Sequence, residues 1–150
     1  MKKQFINAVA AISFLFVLSA VTTFAQTPAL KASIPFDFQI NGKAMTAGQY
    51  TIAEPNSPRG TIIVRGGEKT SAAVAIFRAE NTKTANAETK LVFRRYGNHY
   101  FLTQMTVKGQ TTAMELPETK AERAVARELN GRNLAGNKVT PEIVTVALAR

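Results

Sequence analysis

The side chains that could do chemistry in this sequence are few. There is one histidine, His99, one aspartate, Asp37, nine glutamates and no cysteine. A metal centre built on histidine and cysteine lacks its ligands, so neither a metal nor a cofactor is expected. A Ser-His-Asp triad would require His99 and Asp37 to meet in space. Failing that, His99 beside a turn is expected to be a cross-strand packing partner. Asp37, on the polar side of a strand flanked by phenylalanines, is expected to be solvated or paired. The glutamates could supply the two carboxylates of a glycosidase, yet most fall in turns or on a helix, where solvation accounts for them. Gly66-Gly67-Glu68-Lys69-Thr70 is a poor phosphate loop, with glutamate where glycine must precede the lysine and a strand instead of a helix following. No catalytic set is recognisable, and the chain does not read as an enzyme.

One stretch does gather reactive and recognition groups: LVFRRYGNHYFL, Leu91 to Leu102. Gly97-Asn98 is a two-residue hairpin turn with glycine first, as a type II′ turn requires. Tyr96 then faces His99, Arg95 faces Tyr100, Arg94 faces Phe101 and Phe93 faces Leu102. Side chains alternate between the faces of a strand. One face therefore carries Leu91, Phe93, Tyr100 and Leu102, with Arg95 near the tip. The other carries Val92, Arg94, Tyr96, His99 and Phe101. Both faces are rich in aromatic and apolar groups, so both must meet something. Either one joins the core and a helix covers the other, with arginine stems lying over rings, or the second face is an exposed aromatic-basic platform. On such a platform Arg94, Arg95, Tyr96, His99 and Tyr100 would bind a sugar, a glycan or an anionic polymer.

The elements that must position this hairpin are mostly strands. In IPFDFQINGKAMTAGQYTI, Ile34, Phe36, Phe38 and Ile40 share one face and Ser33, Pro35, Asp37 and Gln39 the other. Pro35 cannot donate to a ladder and marks an edge or a bulge. Asn41-Gly42 supplies a tight hairpin turn, and Ala47-Gly48 a second bend before Tyr50 and Ile52. Thr61 to Arg65 is β-branched and lies between glycines. Ala72 to Phe77 is apolar on both faces, as in a strand covered on both sides, and Asn81 to Glu88 reads as an exposed loop. Thr119-Lys120-Ala121-Glu122 is a capping box that opens a helix. That helix should run to about Leu129 and stop at Asn130-Gly131. Its apolar positions, Ala121, Ala124, Val125 and Leu129, are small and suit close packing on a sheet. After a Gly/Asn-rich link, Glu142 to Leu148 reads as a final strand. The expected fold is mainly β: one antiparallel sandwich or barrel with a single C-terminal α-helix packed on the sheet and a last strand.

The first 25 residues stand apart. Lys2 and Lys3 precede an apolar run, Phe5 to Val21, that closes on Thr23-Phe24-Ala25, the pattern of a cleaved signal peptide. The run is shorter than the ~20 residues of a spanning helix. No cysteine is present to accept a lipid. Cleavage after Ala25 leaves residues 26–150 as one β-rich domain in the periplasm or outside the cell, without a stable membrane anchor. Without Lys2 and Lys3 the 19 basic residues fall to 17 against 10 acidic, a net charge of +7. In an exported protein that balance points to acidic envelope polymers or anionic lipid headgroups in preference to nucleic acid. An oxidising compartment would permit disulfides, but the fold must do without them.

IPFDFQINGK with AGQYTI, then LVFRRYGNHYFL, then ELPETKAERAVARELNG resemble, in order, the motifs of a family of small exported β-proteins of Gram-negative soil bacteria. Most of residues 26–150 is covered, and the hairpin motif is the most specific. Met45-Thr46 departs from the family's leucine-proline pair before the Ala-Gly bend. The family has no established activity, so the resemblance implies export and fold and carries over no site residue. The expected function is an exported non-enzymatic β-domain that binds or coats an envelope component, through weak binding of a glycan or anionic polymer. The alternative is a structural or stress-related protein acting through self-association or protein contacts across sheet edges, with a hydrolase behind both.

Export predicts that protein isolated from cells begins at Gln26, as such or cyclised to pyroglutamate. N-terminal mass spectrometry checks this, and recovery of intact Met1 from washed membranes would refute it.

Overall fold

The computed structural model describes residues 29–53, 60–67, 72–132 and 140–149. The leader, the loop that carries Glu68 to Thr70 and the link at 133–139 lie outside the described residues. The elements are β1 (Leu30–Ile34), β2 (Phe38–Ile40), β3 (Lys43–Met45), β4 (Gly48–Ala53), β5 (Thr61–Gly66), β6 (Ala72–Ile76), β7 (Arg78–Asn81), β8 (Lys90–Tyr96), β9 (His99–Thr106), β10 (Thr112–Glu115), α1 (Lys120–Arg132) and β11 (Glu142–Ala147). One antiparallel sheet has the order β1-β4-β5-β6. The other runs β11-β8-β9-β10-β7 and carries the β2–β3 hairpin, where β2 lies parallel to β9 at Gln39 and Phe101. Ile34, Ile52, Ile62 and Val64 from the first sheet and Leu91, Phe93, Leu102 and Met105 from the second are buried in a single cluster. The architecture is a sandwich, with no closed barrel.

The two sheets are joined at their corners by features legible in the residues. The strand expected from Ile34 to Ile40 is divided: the chain leaves the first sheet after Ile34 and enters the second at Phe38. Pro35, with no N–H to donate, sits at the break. The period-two burial survives the division, because Ile34, Phe38 and Ile40 are buried while Pro35 and Asp37 are exposed. Burying each of these three apolar side chains contributes ~1.5–3 kcal/mol. At a second corner the chain passes from β6 to β7 through the buried Phe77, whose N–H donates to the Gly60 carbonyl at 2.8 Å. At a third, Lys31 and Ala149 exchange backbone hydrogen bonds of 2.7 and 2.9 Å and tie β1 to the chain just after β11.

Turn chemistry sets the hairpins as expected. Asn41 and Gly42 both have positive φ (50° and 80°), the pattern of a type I′ turn. At the β8–β9 turn only Gly97 does (60°), the pattern of type II′. The pairings Tyr96 with His99, Arg95 with Tyr100, Arg94 with Phe101 and Phe93 with Leu102 are those the sequence implies. A bulge follows between Val92 and Phe93, which lets Leu102 and Met105 both face the core.

Three expectations need correction. Ala72 to Phe77 is not covered on both sides: Ala73, Ala75 and Phe77 point inward, but Val74 and Ile76 are 54% and 66% exposed. The inner positions of β6 carry the small residues, and as the last strand of its sheet β6 has a neighbour only in β5. The chain also adds two strands that its polar composition does not announce, β7 and β10, which pair with each other. The helix passes through Asn130-Gly131 to Arg132.

The start of α1 is as expected. The Thr119 hydroxyl accepts the Glu122 N–H at 3.1 Å, the N-cap bond of a capping box. Ala121, Val125 and Leu129 are only half-buried, Ala124 is exposed, and Glu122 alone among the described helix side chains is fully buried. Thr119→Ala should therefore cost ~1 kcal/mol in urea unfolding while the domain still unfolds cooperatively. Loss of the cooperative transition would mean that the strands depend on the helix.

Candidate functional site

The β8–β9 hairpin meets different surroundings on its two faces, and these divide the five residues expected to form one platform. On the outer face Tyr96 and Phe101 are 5% and 2% exposed, with ring centroids 6.0 Å apart in an edge-on contact. The first turn of α1 lies beside Tyr96, with Glu122 near its phenol. Arg94 donates from Nη1 to Glu122 Oε1 at 3.2 Å and lies 4.0 Å from Glu115. Burial pushes the Glu122 carboxyl above its ordinary value, although the Arg94 hydrogen bond and charge and the Thr119 amide pull against it. Burial, seconded by the Glu122 charge, likewise raises the Tyr96 phenol. Tyr96 and Phe101 are covered on this face while His99 at its tip is exposed, and Arg94 and Tyr96 belong to the helix contact.

Beside that contact, Ile76, Phe77, Arg78, Arg94, Glu115 and Leu116 line part of an open cleft of about 410 Å³. Burial raises the Glu115 carboxyl, and neighbouring Glu80 adds to the effect through its charge and a hydrogen bond. Two carboxylates do stand near each other, the arrangement a glycosidase would need. They sit diagonally across the β7–β10 ladder on one face, with Arg94 and Arg78 beside Glu115.

The inner face leads to the other candidate. Near the tip, Arg95 Nε donates to the Gly97 carbonyl at 2.7 Å and Nη1 to Glu142 at 3.1 Å. Its guanidinium stands over the Tyr100 ring, 5.4 Å from the centroid. Phe36 stacks on Tyr100 at 4.0 Å with planes 13° apart. Tyr100 therefore shares its faces with protein groups, and stacking on a sugar ring is not open to it. Both arginines are paired with carboxylates, Arg94 with Glu122 and Arg95 with Glu142.

The hairpin tip and the β2–β3 segment enclose an open recess of about 340 Å³. Its polar lining is Asp37, Gln39, Thr46, Asn98, His99 and Tyr100. The lone histidine and lone aspartate thus share one recess. Asp37 Oδ1 accepts the Ala47 N–H at 2.8 Å, so the carboxylate is spent in part on holding the bend that follows β3. His99 is exposed. Gln39, Thr46 and Asn98 were not indicated as site residues by the sequence. The parallel contact of β2 with β9 brings them there, and such a contact between distant segments leaves no local signal. A carboxylate, two amides, a hydroxyl, an imidazole and a phenol make a mixed donor–acceptor set. Among the described residues no group of three or more His, Asp or Glu is placed to hold a metal ion. No helix among them is long and apolar enough to cross a membrane.

The buried carboxyl yields a pH prediction. A glutamate raised in the folded state stabilises the fold most at low pH, and the contribution is lost as pH rises from the ordinary glutamate value through the raised one. Glu122→Gln should thus gain relative to wild type as pH rises through that window, in urea titrations at a series of pH values. A difference that is flat or runs the other way would show that Arg94 outweighs burial.

Comparison of the chain with protein-family models, with curated sequences and with solved structures finds no match.

Proposed function

We propose that the protein is an exported, non-enzymatic β-domain that binds a hydroxyl-rich glycan of the cell envelope at the recess between the β8–β9 tip and β2–β3. The observation that supports it is the convergence of Asp37, Gln39, Thr46, Asn98, His99 and Tyr100 on one open recess. Planar amide, carboxylate and imidazole groups on a rigid hairpin can exchange hydrogen bonds with sugar hydroxyls at little ordering cost. The recess is open and shallow, so affinity should be weak. An anionic polymer would be drawn by the net charge of +7 without a dedicated site at the tip, and that attraction is screened beyond ~10 Å at 0.1 M salt. The export on which the reading depends rests on the leader pattern of residues 1–25.

The test is titration with neutral and anionic glycans across a salt series. His99→Ala and Gln39→Ala should each weaken binding to neutral glycans, by a few-fold to about tenfold, the range of ~0.5–1.5 kcal/mol per hydrogen bond. Tyr100→Phe should do so without disturbing the Phe36 stack. Arg94→Ala should lower stability and leave affinity alone, and Lys83→Ala/Lys90→Ala should affect only the salt-sensitive part. Equal loss in the recess variants and the lysine control would leave bulk charge as the sole cause and refute the recess.

A further inference from the structure

The outer face of the β1-β4-β5-β6 sheet carries a second surface, distinct from the glycan recess and independent of it. The pairing register orders its outward side chains in rows. Lys31, Thr51, Arg65 and Ala72 form one row, Ala53, Ile63 and Val74 the next, and Thr61 and Ile76 a third. An aliphatic ridge therefore runs beside two cations. Val74 and Ile76, at 54% and 66%, are two of the three most exposed large apolar side chains among the described residues. None of the four strands contains an aspartate or glutamate. Among the described residues neither Lys31 nor Arg65 has an ion-pair partner. Glu54 and Glu68 lie outside the described residues. At its Ile76 end the face borders the cleft that Arg78, Arg94, Glu115 and Glu118 also line, and on the helix side Arg94 and Arg95 are matched with Glu115, Glu122 and Glu142.

The edge of β6 does not favour an added peptide strand. By the register of β5 and β6, with Phe77 bonded to Gly60, the backbone groups of Ala72, Val74 and Ile76 point away from β5. Lys43 Nζ donates to the Ala72 carbonyl and Asn41 Nδ2 to the Val74 carbonyl. The β2–β3 turn thus guards the edge, and side chains at an edge are a usual defence against strand addition. Among the described residues the face itself stays open: aliphatic, cationic and without carboxylates on its own strands. That combination matches the surface of an anionic bilayer, where aliphatic groups enter the headgroup boundary and lysine and arginine meet the lipid charge.

We propose that this face docks reversibly on an anionic lipid surface, with Val74 and Ile76 entering the headgroup layer and Lys31 and Arg65 meeting lipid anions. The measurement is co-sedimentation of the protein lacking residues 1–25 with vesicles of phosphatidylcholine, alone and mixed with phosphatidylglycerol. The leader is omitted because its apolar run would bind lipid by itself, and the described strand pairings lie within residues 30–149. Binding is expected only with phosphatidylglycerol present. Lys31→Glu/Arg65→Glu should reduce it by at least about fivefold per cation. Val74→Ser/Ile76→Ser should reduce it at unchanged charge, and Val74→Leu/Ile76→Leu should retain it. All four positions are exposed or near the surface, and thermal melts should confirm an intact fold. Lys83→Glu/Lys108→Glu alters net charge equally and should lose far less. Equal loss in the two charge variants would overturn the proposal, as would wild-type binding by the serine variant. Soluble poly-glutamate that binds as well as the vesicles, with the same need for Val74 and Ile76, would assign the face to an acidic peptide and overturn the lipid reading.

Discussion

The register of β8 against β9 is the constraint on which the rest of the structure depends. A turn of two residues, with only Gly97 at positive φ, leaves the flanking strands one way to pair. Once Tyr96 is opposite His99, every side chain of the hairpin is assigned to a face. Phe93 and Leu102 go to the core, Tyr96 and Phe101 to the helix, and Arg95 and Tyr100 to the tip. A slip of one residue would exchange the faces, burying Arg94 in the core and exposing Phe93. The remaining strands and α1 complete the surroundings that these two strands require. The central place of β8 and β9, each paired on both sides, follows from that.

The helix is positioned by a buried ion pair and buries little apolar area. Its apolar residues are small and half-buried, and the side chain it sinks into the sheet is Glu122. Removing a carboxylate from water costs several kcal/mol, which an ion pair offsets only when its hydrogen bonds are in place. Here Arg94 supplies one at 3.2 Å. The pair does not repay the burial, and the Glu122 carboxyl is raised, but the alternatives cost more: a helix docked one turn away would leave Glu122 buried without Arg94. The pair thus fixes where the helix sits, with its first turn beside Tyr96.

Charge is distributed unevenly over the two sides of the sandwich. The arginines of the hairpin look in sequence like an anion-binding pair, but the fold brings carboxylates from β10, α1 and β11 to both. These partners are 20 or more residues away in the chain. The exposed Arg95–Glu142 pair contributes little stability, yet it removes a free cation from the tip and leaves the recess there to uncharged hydrogen bonding. On the opposite sheet no carboxylate is supplied by the strands, and among the described residues Lys31 and Arg65 stand beside exposed aliphatic side chains without an ion-pair partner.

Local physics determined much of this protein from the sequence by itself. The Asn41-Gly42 and Gly97-Asn98 turns follow from backbone sterics at glycine and asparagine. The hairpin pairing follows from turn length, the capping box from hydroxyl and carboxylate spacing, and the core side of β1 and β2 from alternation. Each depends on residues a few positions apart. Tertiary structure decided whatever depends on segments far apart in the chain. It divided Ile34 to Ile40 between two sheets, since only the arrangement of those sheets says whether Pro35 marks a bulge or a corner. It made β6 an edge strand with Val74 and Ile76 exposed, since an apolar strand carries no record of how many neighbours it will have. It placed α1 beside one face of the β8–β9 hairpin, matched Arg94 and Arg95 with distant glutamates, and set Asp37, Gln39 and Thr46 against Asn98 and His99. Propensity and periodicity are properties of neighbouring residues, whereas a site is built from whichever surfaces the packing of the core brings together.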